Sequence, residues 1–156
     1  PMPPFELTDY VGIDVALHGL EYFAQVLSAD YKPSEAILAY LKSGNLGKKT
    51  GKGFYDWSQG RPTIDLAKAT KEYDLNHLIA LQVNEATKLL EEGVADDPKE
   101  IDLAMANGGG SPFGPFALAK GIGYPTLVAK LEELYKKFPL EIFKPTQTLR
   151  EGKISV

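Results

Sequence analysis

The chain repeats itself, and that constrains its fold more than any single residue does. Pro1-Met2-Pro3-Pro4-Phe5-Glu6-Leu7 recurs as Pro112-Phe113-Gly114-Pro115-Phe116-Ala117-Leu118. The same offset pairs Gly12 with Gly123, Leu20 with Leu131 and Glu21 with Glu132. Aligned Pro, Phe and Gly punctuation of this kind marks two copies of one supersecondary unit. The second copy is preceded by a helical stretch, roughly 73–106, that has no counterpart ahead of Pro1. The chain therefore reads as part of a longer polypeptide, with one partial copy over 1–60 and one complete copy over 61–156.

The pattern between the repeats is helical. Ile13 to Leu27 sets Ala16, Leu17, Leu20, Phe23, Ala24 and Leu27 on one face, which predicts a helix burying that face. Pro33 to Leu41 predicts another, with Ile37, Leu38 and Leu41 inward and Gly44 as its stop. A Gly- and Lys-rich loop, Gly47 to Gly53, is followed by Phe54-Tyr55-Asp56-Trp57, a segment expected to be pinned onto the helices. Ser58 to Pro62 reads as the linker between copies.

The second copy opens with a long helix from Tyr73 to Glu92, with Leu75, Leu78, Ile79, Val83, Ala86, Leu89 and Leu90 at helical spacing. Asp97-Pro98-Lys99-Glu100 is a helix start, and Gly108 to Gly110 its stop. The repeated Pro-Phe segment is read as a turn, and Pro125 to Lys137 as a helix facing Leu127, Val128, Leu131, Leu134 and Tyr135 inward. Thr146 to Gly152 resembles Ile37 to Gly44 with a few residues deleted, but the Lys-rich loop has no match in the second copy.

Composition excludes several classes of chemistry. With no cysteine the chain has no disulfide, thiolate metal site or Cys nucleophile, which fits a reducing cytoplasm. A net charge of −4 argues against nucleic acid as the main partner. No apolar run reaches the roughly 20 residues of a membrane span. The glycine clusters do not match a phosphate-binding fingerprint: Lys52 is followed by Gly53 where a P-loop needs Ser or Thr, and Gly108 to Gly110 closes a helix rather than opening one.

Other candidates carry two readings. Lys48, Lys49 and Lys52 suit a phosphate-rich ligand such as coenzyme A, or a solvated turn; the turn is favoured because exposed lysines are common. His18 and His77 lack a carboxylate or second His at metal-ligand spacing and read as structural or surface residues. Asn76 and Asn84 share a helix face; either can orient a substrate carbonyl or a catalytic His, or simply satisfy helix-end hydrogen bonds. Taken alone, the residues describe an acidic, all-α duplicated module with no catalytic constellation.

A resemblance extends that reading. Pro1-Met2-Pro3-Pro4-Phe5-Glu6-Leu7-Thr8-Asp9-Tyr10-Val11-Gly12-Ile13-Asp14 and then Gly47-Lys48-Lys49-Thr50-Gly51-Lys52-Gly53-Phe54-Tyr55 closely resemble the C-terminal domain of 3-hydroxyacyl-CoA dehydrogenases. The family patterns are P-M-G-P-F-E-L-x-D-x-x-G-x-D and G-x-K-T-G-x-G-F-Y. Asn76 to Ala86 is similar to the family's N-R-L-L-x-x-x-x-N-E-A helix. Tandem copies resemble the multifunctional fatty-oxidation enzymes.

The resemblance implies an all-α bundle of the 6-phosphogluconate dehydrogenase C-terminal-domain type. It also implies a Rossmann domain upstream that binds NAD and carries a His–Glu base pair, acyl-CoA as substrate, and a further enoyl-CoA hydratase domain downstream. The helical copies would pack on one another or form a homo-oligomer, so that the apolar face of Ile13–Leu27 is covered by the second copy or another chain. No catalytic residue falls in this chain, since Asn76 is only the second-copy counterpart of the family's substrate-orienting Asn. Pro1, Met2 and Phe5 would lie near the acyl-binding cleft, or else form a packed turn between helices. Pro3 stands at the family's usual glycine and His77 at its usual arginine.

Overall fold

The repeated Pro-Phe segments are helices, not turns. In a computed structural model that describes residues 2–154, Pro4–Val11 forms α1 and Pro115–Ile122 forms α6. Each begins on a proline, whose fixed φ and missing N–H suit the first helical position. Those prolines are therefore start signals rather than the turn markers that the sequence suggested.

The two copies share one construction. α1 runs through Gly12 (φ 119°, ψ 128°) into α2, Ile13–Val26, and α6 runs through Gly123 (φ 98°, ψ 126°) into α7, Tyr124–Lys137. Only glycine adopts this conformation without strain, and the matched angles explain why both copies place one there. A 3₁₀ turn follows each long helix, Ala29–Tyr31 and Glu141–Phe143. Then come α3, Glu35–Lys42, and α8, Gln147–Glu151, capped by Ser34 Oγ and Thr146 Oγ1 respectively. The second copy additionally has α4, Leu75–Glu91, and α5, Pro98–Gly109, ahead of α6.

The chain divides into two compact units, residues up to Ala69 and from Thr70 onward. In the second unit α4 packs against α6, α7 and α8. Its core contains Ile79, Ala80, Val83 and Ala86 with Phe116, Leu127, Leu131 and Leu149. Leu75 and Leu78, expected inward, are exposed, because the buried stripe of α4 starts at His77 and Ile79. Gly108 and Gly109 continue α5, and only Gly110, at φ 63°, ends it.

The first unit is built on a different face. α2 buries Ile13 and Leu17, while Phe23 and Leu27 stay exposed and Ala16 and Leu20 are half-buried. Ile37 and Leu38 of α3 are half-buried, and Leu41 is exposed. The buried face of this unit consists of Glu6, Asp9, Ile13, Leu17 and Trp57, and the glycine-rich loop closes over it. Among the described residues there is no helix long and apolar enough to cross a membrane, and the only β pairing is isolated bridges at Lys52.

Candidate functional site

Asp9 organises the first unit. Its carboxylate is buried in the middle of α1 and accepts three hydrogen bonds: from Phe54 N (2.9 Å), Tyr55 N (2.9 Å) and Trp57 Nε1 (2.9 Å). A buried anion persists where donors converge on it, and here the donors all come from the segment after the loop. The glycines allow that approach. A Cβ on Gly53 would sit 2.1 Å from Asp9 Oδ1, and one on Gly47 2.2 Å from the Asp9 carbonyl oxygen. The loop therefore folds around a carboxylate of its own chain.

One turn earlier, buried Glu6 takes two hydrogen bonds from Arg61, at 2.5 Å from Nε and 3.2 Å from Nη2. The Arg61 hydrogen bond holds the Glu6 carboxyl below its ordinary range, against the opposing effect of burial. Arg61 is pushed up in turn by the Glu6 hydrogen bond. Neither carboxylate was singled out from the sequence. The available signal was spacing: Glu6, Asp9, Ile13 and Leu17 recur at three- and four-residue steps on one stripe.

The loop lysines are largely engaged within the unit. Lys49 Nζ pairs with Asp14 at 2.5 and 2.6 Å, and that hydrogen bond lowers the Asp14 pKa. Lys48 Nζ stands 4.2 Å from the centroid of the Tyr10 ring. Lys52 is exposed, and its carbonyl accepts from Gly47 N and from Thr50 Oγ1.

The proposed acyl-facing residues do not converge on one pocket. Pro1 lies outside the described residues. Met2 lines a pocket of about 270 Å³ with Glu6, Tyr10, Lys48, Trp57 and Arg61. Phe5, more than half exposed, lines a separate apolar groove of about 400 Å³ and lies against Phe54 with ring centroids 4.8 Å apart.

In the second unit, Asn84 is buried and structural. It accepts from Thr146 N and donates to the carbonyls of Ile142 and Lys144, tying down the segment before α8. Asn76 is half-buried at the start of α4, where its N–H donates to the Asp74 cap. His77 completes that capping box: its Nδ1 accepts from Asp74 N, and its Nε2 lies 3.1 Å from Glu133. His18 is exposed on α2. Among the described residues no group of three His, Cys, Asp or Glu side chains is placed to hold a metal ion.

The model of the 3-hydroxyacyl-CoA dehydrogenase C-terminal domain matches residues 1–57 and 73–152. The chain belongs to this family. The alpha subunit of the fatty acid oxidation complex from Vibrio vulnificus (strain CMCP6) is 31% identical over 152 residues, covering 88% of this chain and 22% of that protein. The peroxisomal bifunctional enzyme of Cavia porcellus is 31% identical over 174 residues, covering 88% of this chain and 24% of that protein. The chain thus spans about a quarter of the length of such family members. Its fold matches the crystal structure of 3-hydroxybutyryl-CoA dehydrogenase from Escherichia coli K12 with a TM-score of 0.78, over 97% of this chain and 51% of that one, at 21% identity.

Seen as family motifs, the Asp of the P-M-x-P-F-E-L-x-D segment and the G-x-K-T-G-x-G-F-Y loop are the two halves of one lock.

Proposed function

We propose that this chain is the helical substrate-binding and assembly part of an NAD-dependent 3-hydroxyacyl-CoA dehydrogenase of the fatty-acid oxidation type, inactive by itself. The observation that carries this reading is the Asp9 lock. It joins both family motifs and fixes α1, so that the chain entering the helix at Met2 and Phe5 is held on a rigid support. Those residues, with Pro1, would border the acyl chain of the substrate. The overall reaction oxidises the 3-hydroxyl of an acyl-CoA to a ketone as NAD accepts a hydride.

The residues present do not fit NAD. A dinucleotide cradle needs free backbone N–H groups at a strand–glycine–helix junction. Here the glycine loop closes on Asp9, and the N–H groups of Phe54 and Tyr55 are spent on its carboxylate. NAD and the catalytic base would belong to a Rossmann domain elsewhere in the polypeptide, and a hydratase domain to a further part. The absence of cysteine accords with a reducing compartment such as the cytoplasm.

The test is acetoacetyl-CoA-dependent NADH oxidation by the full-length polypeptide, beside the 156-residue chain. Turnover by the full-length protein alone is the expected result. A second reading, a helical interaction module that kept the fold without the chemistry, is favoured by Pro3 at the family's glycine. A folded full-length protein without turnover would establish that second reading in place of the first.

A further inference from the structure

Near its C-terminal end α5 carries Asn107-Gly108, the only Asn-Gly pair in the sequence. An asparagine side chain reacts with its own backbone when the next residue lets the two approach. The next residue's amide nitrogen loses its proton and attacks the Asn Cγ, forming a new C–N bond. The bond from Cγ to the side-chain –NH2 breaks, ammonia leaves with a proton, and a five-membered succinimide closes. Water then opens the ring at either carbonyl, giving aspartate or isoaspartate without oxidant, reductant or cofactor. Glycine favours the attack because no Cβ stands beside the nitrogen and because it readily leaves helical angles.

The other asparagines are held away from this chemistry. Asn45 Nδ2 donates to Ser43 Oγ (2.9 Å), and the N–H that follows it, on Leu46, donates to Thr50 Oγ1 (2.9 Å). Asn84 is buried within α4, with both ends of its side chain engaged. Asn76 is followed by His77, whose N–H donates to Asp74 Oδ1 (3.3 Å). Asn107 is exposed, and its side-chain amide makes no hydrogen bond among the described residues. Gly108 lies within α5, so the helix ladder is the one restraint on its nitrogen. That ladder is poorly closed here. In each of the other α-helices the C-cap N–H donates to the carbonyl four residues back, and at Gly110 no such bond forms. Gly108 and Gly109 also have the weakest helix preference after proline, so this last turn opens readily.

We propose that Asn107 is a site of spontaneous modification, converting to isoaspartate and aspartate through a succinimide with Gly108 while the other asparagines persist. The change runs one way and adds a negative charge at the C-terminal end of α5, where the helix dipole is already negative. In the isoaspartate form the backbone passes through the side-chain methylene, so the helical ladder cannot continue past Ala106. The product loosens the turn between α5 and α6. This inference does not rest on the dehydrogenase reading.

The test incubates the 156-residue chain at pH 6 and pH 8 and maps its peptides by mass spectrometry, against a zero-time sample digested in parallel. Exchange of –NH2 for –OH raises the mass by about one dalton, and aspartate and isoaspartate separate as two products of equal mass. Asn107 is expected to react at least about tenfold faster than Asn45, Asn76 or Asn84. The rate should be higher at pH 8, because the attacking nitrogen must lose its proton. Gly108→Ala sets a methyl beside that nitrogen and slows the reaction; the new Cβ meets nothing within 4 Å, so the fold tolerates it. Gly109→Ala, equally unobstructed, leaves the reacting pair intact and slows it by firming the helix end. Reaction at Asn107 no faster than at Asn45, products without isoaspartate, or a rate that neither alanine variant lowers overturns the proposal.

Discussion

The indole Nε1 of Trp57 donates to the Asp9 carboxylate at 2.9 Å across 48 residues of sequence, and both groups are buried. The contact lies at the centre of a three-donor site, so the whole loop depends on one carboxylate. Asp9→Ala leaves two backbone N–H groups and the indole without their acceptor. The expected loss is about 2–5 kcal/mol, the range for breaking a buried, charge-assisted hydrogen-bond set. Trp57 is the only tryptophan, so its fluorescence in a urea titration reports this unit specifically.

The loop glycines make a sharper case, because their requirement is steric. Gly53→Ala drives a methyl into the Asp9 carboxylate, at 2.1 Å, and is expected to cost more than about 2 kcal/mol by the same fluorescence measurement. Gly121→Ala, in α6 with nothing within 4 Å of its new Cβ, is the contrast. Read by far-UV circular dichroism in a urea titration, because Trp57 reports the other unit, it is expected to stabilise the second unit by roughly 0.5–1 kcal/mol, the helix preference of Ala over Gly.

The repeat, the all-helical fold and the identity of the loop motif were legible in the sequence, because Pro, Gly and Phe punctuation survives divergence. The buried face of α2 was not. Hydrophobic spacing selected Ala16, Leu17, Leu20, Phe23, Ala24 and Leu27, yet of these only Leu17 is buried, together with Ile13 and two carboxylates. Hydropathy counts Glu6 and Asp9 as surface residues, and only their partners Arg61, Phe54, Tyr55 and Trp57, roughly 45 to 55 residues away, make them interior. The apolar stripe that the sequence did reveal is the open groove. It was expected to be buried, but within the first unit Ala16, Leu20 and Phe23 line an open apolar groove and Leu27 is exposed.

Glu6 gives the first unit an acid-sensitive element. Its folded pKa lies below the ordinary 4.5, chiefly through the Arg61 hydrogen bond, so the unfolded chain takes up its proton first. The stabilisation is complete above that ordinary value and is lost as pH falls through the lower folded one. Stability followed by Trp57 fluorescence should therefore fall below about pH 4.5. Glu6→Gln should lower stability at neutral pH and flatten this acid limb. Asp14, lowered by Lys49, and Asp56, lowered by its Ser58 hydrogen bonds, retain part of the slope in that variant, and adding Asp14→Asn should flatten it further. An unchanged acid limb in the double variant would show that other groups govern it.

Asn84 does in the second unit what Asp9 does in the first, with a neutral side chain because its partners are mixed. Its Oδ1 accepts from Thr146 N at 2.9 Å, and its Nδ2 donates to Lys144 O at 3.0 Å. Asn84→Ala removes both and is expected to cost about 2–4 kcal/mol, with faster hydrogen exchange at the Thr146 amide. Asn84→Asp separates the two roles. The carboxylate still accepts from Thr146 N, but its second oxygen faces the carbonyls of Ile142 and Lys144 in a buried site. Those acceptors and the burial favour the protonated acid, which alone can donate to a carbonyl, so the folded pKa rises above the unfolded value. The Asp variant should therefore be less stable than the parent at pH 7 and recover part of the difference as pH falls through that raised value. Urea denaturation at pH 7 and pH 5, followed by far-UV circular dichroism, reads this directly, and an Asp variant as stable as the parent at both pH values would show that the donor role of Asn84 does not matter.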